Sequence, residues 1–367
     1  MFKPTFNITD DNYHDVVRKL VLDNQLIQKG TNLQNIPART REGKLIRKCF
    51  LPPEGHVLIG ADLSQAEPRV EAHIMYTEYN DNSLRQIFVS GQDLYTSMAM
   101  LAFDLPKEYC LDDVWYDPVS NTGGENPNDA PATAFYPRKM MKQGILALGY
   151  RQTEEKFAES MKVTNEVAHM VFEKFNKSFP SFNKMVEDTI EFMRVHGYVE
   201  TIFGRKRRFP QYKALKMELA RKEPELFKLY REKKKLMNDG IYRRRLKEIE
   251  EKIEEIYKLR GRISKMEREA FNARIQGSAT SDIIKMNEIE MLKLCKSKGW
   301  QLVSAIHDEI IISVPEQDVT PENINLIQKI MCETVKDYLT VPLKSDVAIM
   351  PRWEHNIKPH EWFEGKR

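Results

Sequence analysis

The 367-residue chain has few cysteines, no long apolar run and almost no net charge. Its four cysteines, Cys49, Cys110, Cys295 and Cys332, show no CxxC spacing, which argues against a zinc site or a disulfide framework and fits a reducing compartment. No apolar stretch approaches the roughly 18 residues that a membrane-spanning helix needs, and the N-terminus has no signal-peptide core. We therefore expect a soluble, cytoplasmic protein with no membrane partner.

The charge balance excludes a strongly basic nucleic-acid-binding surface over the whole molecule. Lys+Arg 57 against Asp+Glu 54 leaves a formal net charge of +3, so any face that binds nucleic acid must be a local patch. The length allows a buried core and predicts one multi-lobed unit or two domains.

Strand-like segments stand at both ends of the informative region, and helical patterns lie between them. The segments 56–63, 300–306 and 309–315 are β-rich, and only His307 and Asp308 separate the last two. This spacing predicts a tight hairpin with Asp308 at its tip. Helices are expected at 138–150, 153–176, 182–196 and 266–294. The segment 112–132 is rich in Asn, Asp, Gly and Pro and predicts an exposed loop.

Residues 216–265 differ from the rest of the chain in charge and periodicity. Apolar residues recur at helical spacing on both sides of an Asn-Asp-Gly break at 238–240, which predicts an antiparallel helical hairpin. The segment carries 17 basic and 10 acidic side chains. A solvated structural insertion, contact with a nucleic-acid backbone and contact with a partner protein all fit this composition.

Two aspartates at strand ends, Asp62 and Asp308, are the strongest candidates for chemistry. Asp62 follows the apolar run 56–61, and a pair of carboxylates at adjacent strand ends can hold two Mg²⁺ ions for an in-line phosphoryl displacement. A lone aspartate at such a position is usually a turn former or a cap. The pairing with Asp308 therefore carries the hypothesis.

A helix starting after Pro137 would supply groups for a triphosphate. Arg138, Lys142, Leu146 and Tyr150 follow one another at i+4 and share one side of that helix. Two cations followed by an aromatic ring suit a nucleoside triphosphate that lies along the helix. Basic amphipathic helices are common, so the spacing alone is a weak indication.

The chain resembles family A DNA polymerases in five ordered blocks. The stretch 33–73, with "ADLSQAEPRVEAH", is similar to the lead-in and motif A of that family. The helix 138–150 resembles motif B, and "IHDEII" (306–311) resembles motif C. "GYVETIFGRKRRFP" (197–210) and "REAFNARIQGSATSDIIKM" (268–286) also match. The resemblance runs from about residue 31 to the C-terminal "WEH" region and is interrupted at 112–132 and 216–265.

The resemblance implies an α+β fold made of a polymerase palm with an antiparallel sheet, helical fingers and an inserted helical hairpin. The expected divisions are an N-terminal extension of unclear role at 1–30, a first palm part at 31–90, fingers at 91–265 that include the hairpin at 216–265, and a second palm part at 266–367. Thumb and exonuclease domains are expected to be absent.

The resemblance also implies a role for each matching residue. The metal ligands would be Asp62, Asp308 and the Leu63 carbonyl, holding two Mg²⁺ ions for which Mn²⁺ can substitute. Catalysis would use Asp62, Asp308, Glu309 and Lys142. The deoxynucleotide would be bound by Arg138, Lys142, Leu146, Tyr150, Glu67, Gln65 and Tyr95, with Glu67 filling the space of a ribose 2′-hydroxyl. Primer–template DNA would contact Arg39, Arg268, Asn272, Gln276, His307, Arg205 and Arg207.

Three positions depart from the family pattern, and none of them is a metal ligand. Leu146 stands where the family usually has Phe or Tyr, Tyr95 stands where His is frequent, and Arg151 replaces a usual Gly. A phenol at position 95 can still hydrogen-bond to a triphosphate, but it carries no charge at neutral pH.

The implied activity is template-directed DNA synthesis from deoxynucleotides, of the phage replication type, in a bacterial or phage-infected cell. Because a thumb is not recognisable, a second polypeptide carrying thumb and exonuclease functions is expected as a partner. The alternatives are a non-catalytic or accessory DNA-binding subunit with a polymerase fold, and a reverse transcriptase or RNA polymerase. An accessory subunit would need a broken site, and Glu67 with Tyr150 favours deoxynucleotides.

Overall fold

The structure, a computed structural model, describes Ile36 and residues 40–131, 133–149, 152–237, 243–353 and 355–365, with the side chains of 145–149 and Arg243 outside this description. Arg39, Tyr150 and Arg151 lie outside the described residues, as does the Leu146 side chain, so their expected roles stay predictions. No helix within these ranges is long and apolar enough to cross a membrane.

A four-stranded antiparallel sheet is the centre of the fold. Its strands are β1 His56–Leu63, β6 Gln301–Ile306, β7 Glu309–Pro315 and β8 Ser345–Met350. They lie in the order β6-β7-β1-β8, and all three pairings are antiparallel. Alternate residues of β1 explain its central place, because Val57, Ile59, Ala61 and Leu63 enter the main core while Leu58 packs in a smaller cluster on the other face.

Helices cover the core face of the sheet and build a second, helical lobe. Two helices pack against the sheet, α12 Ile284–Lys298 and α13 Pro321–Glu333. The helix α2 Ala66–Tyr79 contributes Val70, Ile74 and Met75 to the same apolar core. The helical lobe contains α3 Ser83–Val89, α4 Leu94–Phe103, α5 Pro137–Gly149, α6 Glu154–Met161, α7 Asn165–Ser178 and α8 Pro180–His196. Shorter elements are α1 Arg41–Arg47, β4 Tyr198–Glu200, β5 Lys206–Arg208 and α14 Pro359–Phe363. The predicted α+β class is confirmed.

Two predicted elements differ from the structure for local reasons. The single helix expected at 153–176 is two helices, because Lys162 adopts a left-handed conformation that ends α6 and the Thr164 hydroxyl caps α7 by accepting from the Val167 N–H. The predicted loop at 112–132 contains a small hairpin, β2 Trp115–Asp117 and β3 Thr122–Gly124. The Asp117 carboxylate stabilises the turn by accepting hydrogen bonds from Ser120 and Thr133. Amino-acid composition alone does not predict such hydrogen bonds.

The predicted helical hairpin is present, and its helices extend beyond the predicted segment 216–265 at both ends. It consists of α9 Tyr212–Lys222, α10 Leu226–Met237 and the 34-residue α11 Arg243–Gln276. A second apolar cluster, which includes Leu219, Leu229, Ile249 and Ile256, holds the helices together. Because α11 passes unbroken through residues 265 and 266, the expected boundary between fingers and palm does not coincide with a break in the structure. A π-helical segment, Gly277–Ile283, joins α11 to α12.

Candidate active site

Three carboxylates meet at the end of the central strand. Asp62 lies on β1, directly opposite Glu309 on β7 and Asp346 on β8. Residues opposite each other in an antiparallel sheet point to the same face, so all three side chains lie on one side. The sheet register therefore brings together acids that are far apart along the chain.

A strained two-residue turn positions Asp308 beside them. Ile306 pairs with Glu309, so His307 and Asp308 form the whole turn, and His307 has a φ of 56°, where glycine is the usual residue of such a hairpin. The Leu63 N–H donates to the Asp308 carbonyl at 3.1 Å, which fastens the tip to the end of β1. The predicted hairpin with Asp308 at its tip is confirmed.

The electrostatics of this group would favour binding of a divalent cation. Desolvation, Asp308, Glu309 and Asp346 together raise the pKa of Asp62 to about 7, and the two aspartates are close enough to hydrogen-bond. Desolvation also raises the pKa of Asp308 and, with help from Asp308, that of Glu67. A divalent cation would relieve this repulsion, so the residues fit a metal with oxygen ligands. Within the described ranges, no group of three or more His, Cys, Asp or Glu side chains is arranged to hold a metal ion by itself.

Glu309 faces the sheet surface rather than the cavity. Its carboxylate lies over β1, so that a Cβ at Gly60 would stand 2.2 Å from Glu309 Oε1. Glycine at position 60 is therefore what lets Glu309 adopt this position next to Asp62.

The first turns of α5 supply the cations across the cavity. Arg138 is ion-paired with Asp93 at 3.0 Å and with Asp112 at 2.7 Å, and Lys142 lies one turn further on. The buried Tyr95 ring is 5.6 Å from Arg138 Cζ and 5.9 Å from Lys142 Nζ. Burial raises the pKa of the Tyr95 phenol, which therefore stays neutral beside the two cations.

Gln65 is connected to the same anchor as Arg138. Its backbone is left-handed, with a φ of 56°, and its side-chain amide donates to Asp93 Oδ2 at 3.1 Å. Asp93 thus links Gln65, two residues after β1, to Arg138 on α5.

All these elements surround one cavity of about 570 Å³. Nine of the predicted site residues line it: Asp62, Leu63, Gln65, Glu67, Tyr95, Arg138, Lys142, Asn272 and Asp308. The sequence reasoning missed further lining residues, among them Glu71, Asp112, Tyr136, Phe271 and Asp346. A carboxylate near the start of the strand-like segment "SDVAIM" (345–350) was a usable signal for Asp346, whereas nothing local distinguishes Glu71.

The predicted DNA-contacting residues divide into two groups. Arg268, Asn272 and Gln276 share one side of α11, where Asn272 donates to Gln276 Oε1 at 3.0 Å, and Asn272 borders the cavity. Arg205 and Arg207 are elsewhere. Arg205 donates to Asp282 and to the Gly277 carbonyl, so its guanidinium already holds the π-helical segment.

The remaining predicted contacts, Arg207 and His307, lie on the surface. Arg207 is exposed on β5 and lies 5.7 Å from the Phe209 ring. His307 is exposed at the turn tip. Neither residue lines the cavity.

A family model described as DNA polymerase family A matches residues 23–114 and 129–355. The chain belongs to DNA polymerase family A. The break in this match falls on the β2–β3 hairpin, within the interruption predicted at 112–132. The interruption predicted at 216–265 lies inside the second matched range.

Curated family A relatives agree with this assignment. The chain is 27% identical over 329 residues to the thermostable DNA polymerase I of Thermus aquaticus, covering 90% of this chain and 31% of that protein. It is 28% identical over 333 residues to DNA polymerase I of Streptococcus pneumoniae serotype 4, covering 90% and 30%. The chain thus spans about a third of the length of these relatives.

A solved structure shows a similar fold. The POL domain of Pol1 from M. smegmatis, in complex with DNA primer-template and dNTP, matches with a TM-score of 0.61 and 26% identity. The match covers 89% of this chain and 45% of that one.

Proposed function

We propose that this family A chain catalyses template-directed addition of deoxynucleotides to a primer 3′-hydroxyl. The observation that carries the proposal is the cavity in which Asp62 and Asp308 lie within hydrogen-bonding reach of each other and Arg138 and Lys142 line the wall. The relatives named DNA polymerase I support it.

Asp62, Asp308 and the Leu63 carbonyl would hold the two Mg²⁺ ions, with Mn²⁺ as a substitute. When bound, divalent ions at such a site activate the attacking hydroxyl and neutralise charge on the phosphates. The other ligands would come from the nucleotide, as is usual for Mg²⁺ bound by one or two carboxylates.

The cationic wall of the cavity would bind the triphosphate. Arg138, held by Asp93 and Asp112, and Lys142 would face the β- and γ-phosphates, where their charge stabilises the transition state. The primer 3′-hydroxyl would lose its proton to solvent as its oxygen bonds to the α-phosphorus. The bond between the α-phosphorus and the α,β-bridging oxygen would break, and Lys142 would donate a proton to the departing pyrophosphate.

Sugar selection would rest on Glu67. Its half-buried side chain stands on the first turn of α2 beside Asp308 and would occupy the space of a 2′-hydroxyl. Replacing it by alanine should narrow the preference for dNTPs over rNTPs, which competitive incorporation measures.

Arg268, Asn272 and Gln276 would contact the minor groove of the primer–template near its newest pair. Minor-groove acceptors are similar for all base pairs, so such contacts can test pair shape without reading sequence. The second polypeptide and the phage-type role remain predictions that neither the fold nor the relatives test.

The deciding experiment is Mg²⁺-dependent primer extension by this chain, by Asp62→Asn and by Asp308→Asn. Each substitution should lower turnover by orders of magnitude and leave DNA affinity nearly unchanged. Asp337→Asn, an exposed acid outside the cavity, is the matched control and should extend primers like the parent chain. Full activity of Asp62→Asn or Asp308→Asn would refute the metal-binding role of these carboxylates, and a parent chain that binds DNA without extending primers would favour a non-catalytic DNA-binding role.

A further inference from the structure

Three aromatic rings stand exposed on one side of the helical hairpin. Phe227 is 71% exposed, Tyr230 44% and Tyr257 48%. The Tyr230 and Tyr257 hydroxyls are 3.0 Å apart, so the rings of α10 and α11 adjoin across the hairpin. We call these three residues the ring face. A cluster of large exposed rings is unusual on a soluble surface unless it binds something.

Cations accompany the rings. Arg231 Cζ lies 5.9 Å from the Phe227 ring, and Arg260 Cζ, whose guanidinium is also ion-paired with Glu223 at 2.6 Å, lies 5.5 Å from the Tyr257 ring. Lys234, exposed one turn after Tyr230, adds positive charge on the same side of α10. The ring face therefore combines aromatic surface with attraction for a polyanion.

The ring face continues along α11 into the cavity. Tyr257, Gly261, Ser264, Arg268 and Asn272 follow one another at spacings of four, three, four and four residues, which places them on one side of the helix. The hydrogen bond from Arg268 to Ser264 Oγ at 2.6 Å agrees with this shared side, and Asn272 borders the cavity.

Gly261 is the unexpected member of this series. It is exposed in the middle of a helix, and no atom lies within 4 Å of the place a Cβ would take. Glycine costs a helix about 1 kcal/mol relative to alanine, and it allows another molecule to approach the backbone closely. Its position between Tyr257 and Arg268 fits a ligand that passes along this side of α11.

We propose that the ring face binds the single-stranded template before it enters the active site. Exposed rings flanked by cations bind unpaired nucleic acid through base stacking and backbone charge. Paired bases in a duplex are stacked on each other and do not offer their faces. The inference rests on the proposed polymerase function, because that function places the template in the cavity beside Asn272.

The helix gives the length of template involved. Fifteen residues separate Tyr257 from Asn272, which is about 22 Å at the helical rise of 1.5 Å per residue. At 3.4 Å per nucleotide of a B-form strand, this corresponds to about six nucleotides. Shorter overhangs should not reach the rings.

The test measures binding of primer–templates that share one duplex and carry template overhangs of two or ten nucleotides. The parent chain should bind the longer overhang more tightly. The double variant Phe227→Ala/Tyr257→Ala should lose about tenfold or more in affinity for it, since each stacked base contributes substantially, and should bind the two-nucleotide overhang like the parent. Phe227→Trp should retain binding. Met217→Ala, 67% exposed on the same hairpin, is the control and should change neither affinity.

Gly261→Ala separates binding from folding. It should raise the melting temperature, because alanine favours the helix, and at the same time weaken binding of the ten-nucleotide overhang. Three results would each overturn the proposal. The first is equal affinities of the parent and the ring variants for the long overhang. The second is an equal loss for the two overhangs, which would place the contact on the duplex, and the third is a change in oligomeric state when the rings are removed. If the ring face binds overhangs as described but the chain does not extend primers, the polymerase function fails while single-strand binding by the ring face stands.

Discussion

Asp62 and Asp346 stand opposite each other on neighbouring antiparallel strands, at the mouth of the cavity that also contains Asp308. Asp346 contributes to the raised pKa of Asp62 together with Asp308 and Glu309, so β8 adds negative charge to the site.

Asp346→Asn should weaken metal binding without abolishing activity. Removing one charge lowers the attraction for divalent ions, so the Mg²⁺ concentration for half-maximal primer extension should rise severalfold while the maximal rate falls by less than tenfold. A magnesium titration of extension rate checks this, with Asp337→Asn as the control. A loss as large as that of Asp62→Asn would instead make Asp346 a direct ligand.

Gly60→Ala should displace Glu309. The new Cβ would lie 2.2 Å from Glu309 Oε1 and 2.9 Å from Met350 Cε, so the glutamate must rotate away, and the free energy of unfolding should fall by about 1–3 kcal/mol. A double-mutant cycle with Glu309→Ala measures the coupling. If the two effects simply add, Glu309 does not depend on the glycine.

Asp93→Asn should loosen Arg138 while leaving α4 capped. Burial alone would raise the pKa of Asp93, but hydrogen bonds from Arg138 and Thr96 lower it to about 2. Asparagine still caps a helix, but it loses the charge that holds Arg138 and the acceptor for Gln65.

We therefore expect Asp93→Asn to raise the KM for dNTP severalfold, with a smaller change in kcat. The stability from the ionised Asp93 is present above its unfolded pKa of 3.8 and is lost as the pH falls toward 2. Melting temperatures of parent and variant should accordingly converge in acid. A constant difference at all pH values would contradict this origin.

Glu71→Gln should stabilise the protein increasingly as the pH rises. Desolvation and the neighbouring Glu67 raise the pKa of the buried Glu71 to about 8, and its Oε2 has no hydrogen-bond partner in the structure. The folded state therefore keeps a proton that the unfolded chain releases near 4.5, and stability falls between these two values.

Glutamine removes this loss of folding stability. The loss is on the order of 5 kcal/mol above pH 8, at 1.36 kcal/mol for each unit by which the pKa is raised. Chemical unfolding at pH 5 and pH 8.5 should show little difference between parent and variant at the lower pH and a clear gain for the variant at the higher one. A pH-independent difference would mean that Glu71 is ionised in the fold.

Patterns that lie within a short stretch were predictable from the sequence. The β6–β7 turn, the helix carrying Arg138 and Lys142 and the antiparallel hairpin each follow from spacing and turn residues. The nine cavity residues came together because the blocks resembling the family keep their order in the chain.

What the sequence did not reveal depends on contacts between distant segments. Asp346 meets Asp62 through sheet register, and Asp93 reaches Arg138 across 45 residues. Glu71 has an unusual pKa because of what surrounds it, which its own position in α2 does not show.

Because α11 is one unbroken helix, it connects the outer end of the hairpin mechanically to the cavity. The helix is about 50 Å long at 1.5 Å per residue, and Phe271 and Asn272 near its C-terminal end form part of the cavity wall. A molecule that pushes on the far end cannot tilt it without shifting that wall, unless the helix bends where Gly277–Ile283 changes its winding. Force applied to the outermost turns would then move the cavity wall opposite Asp62 and Asp308.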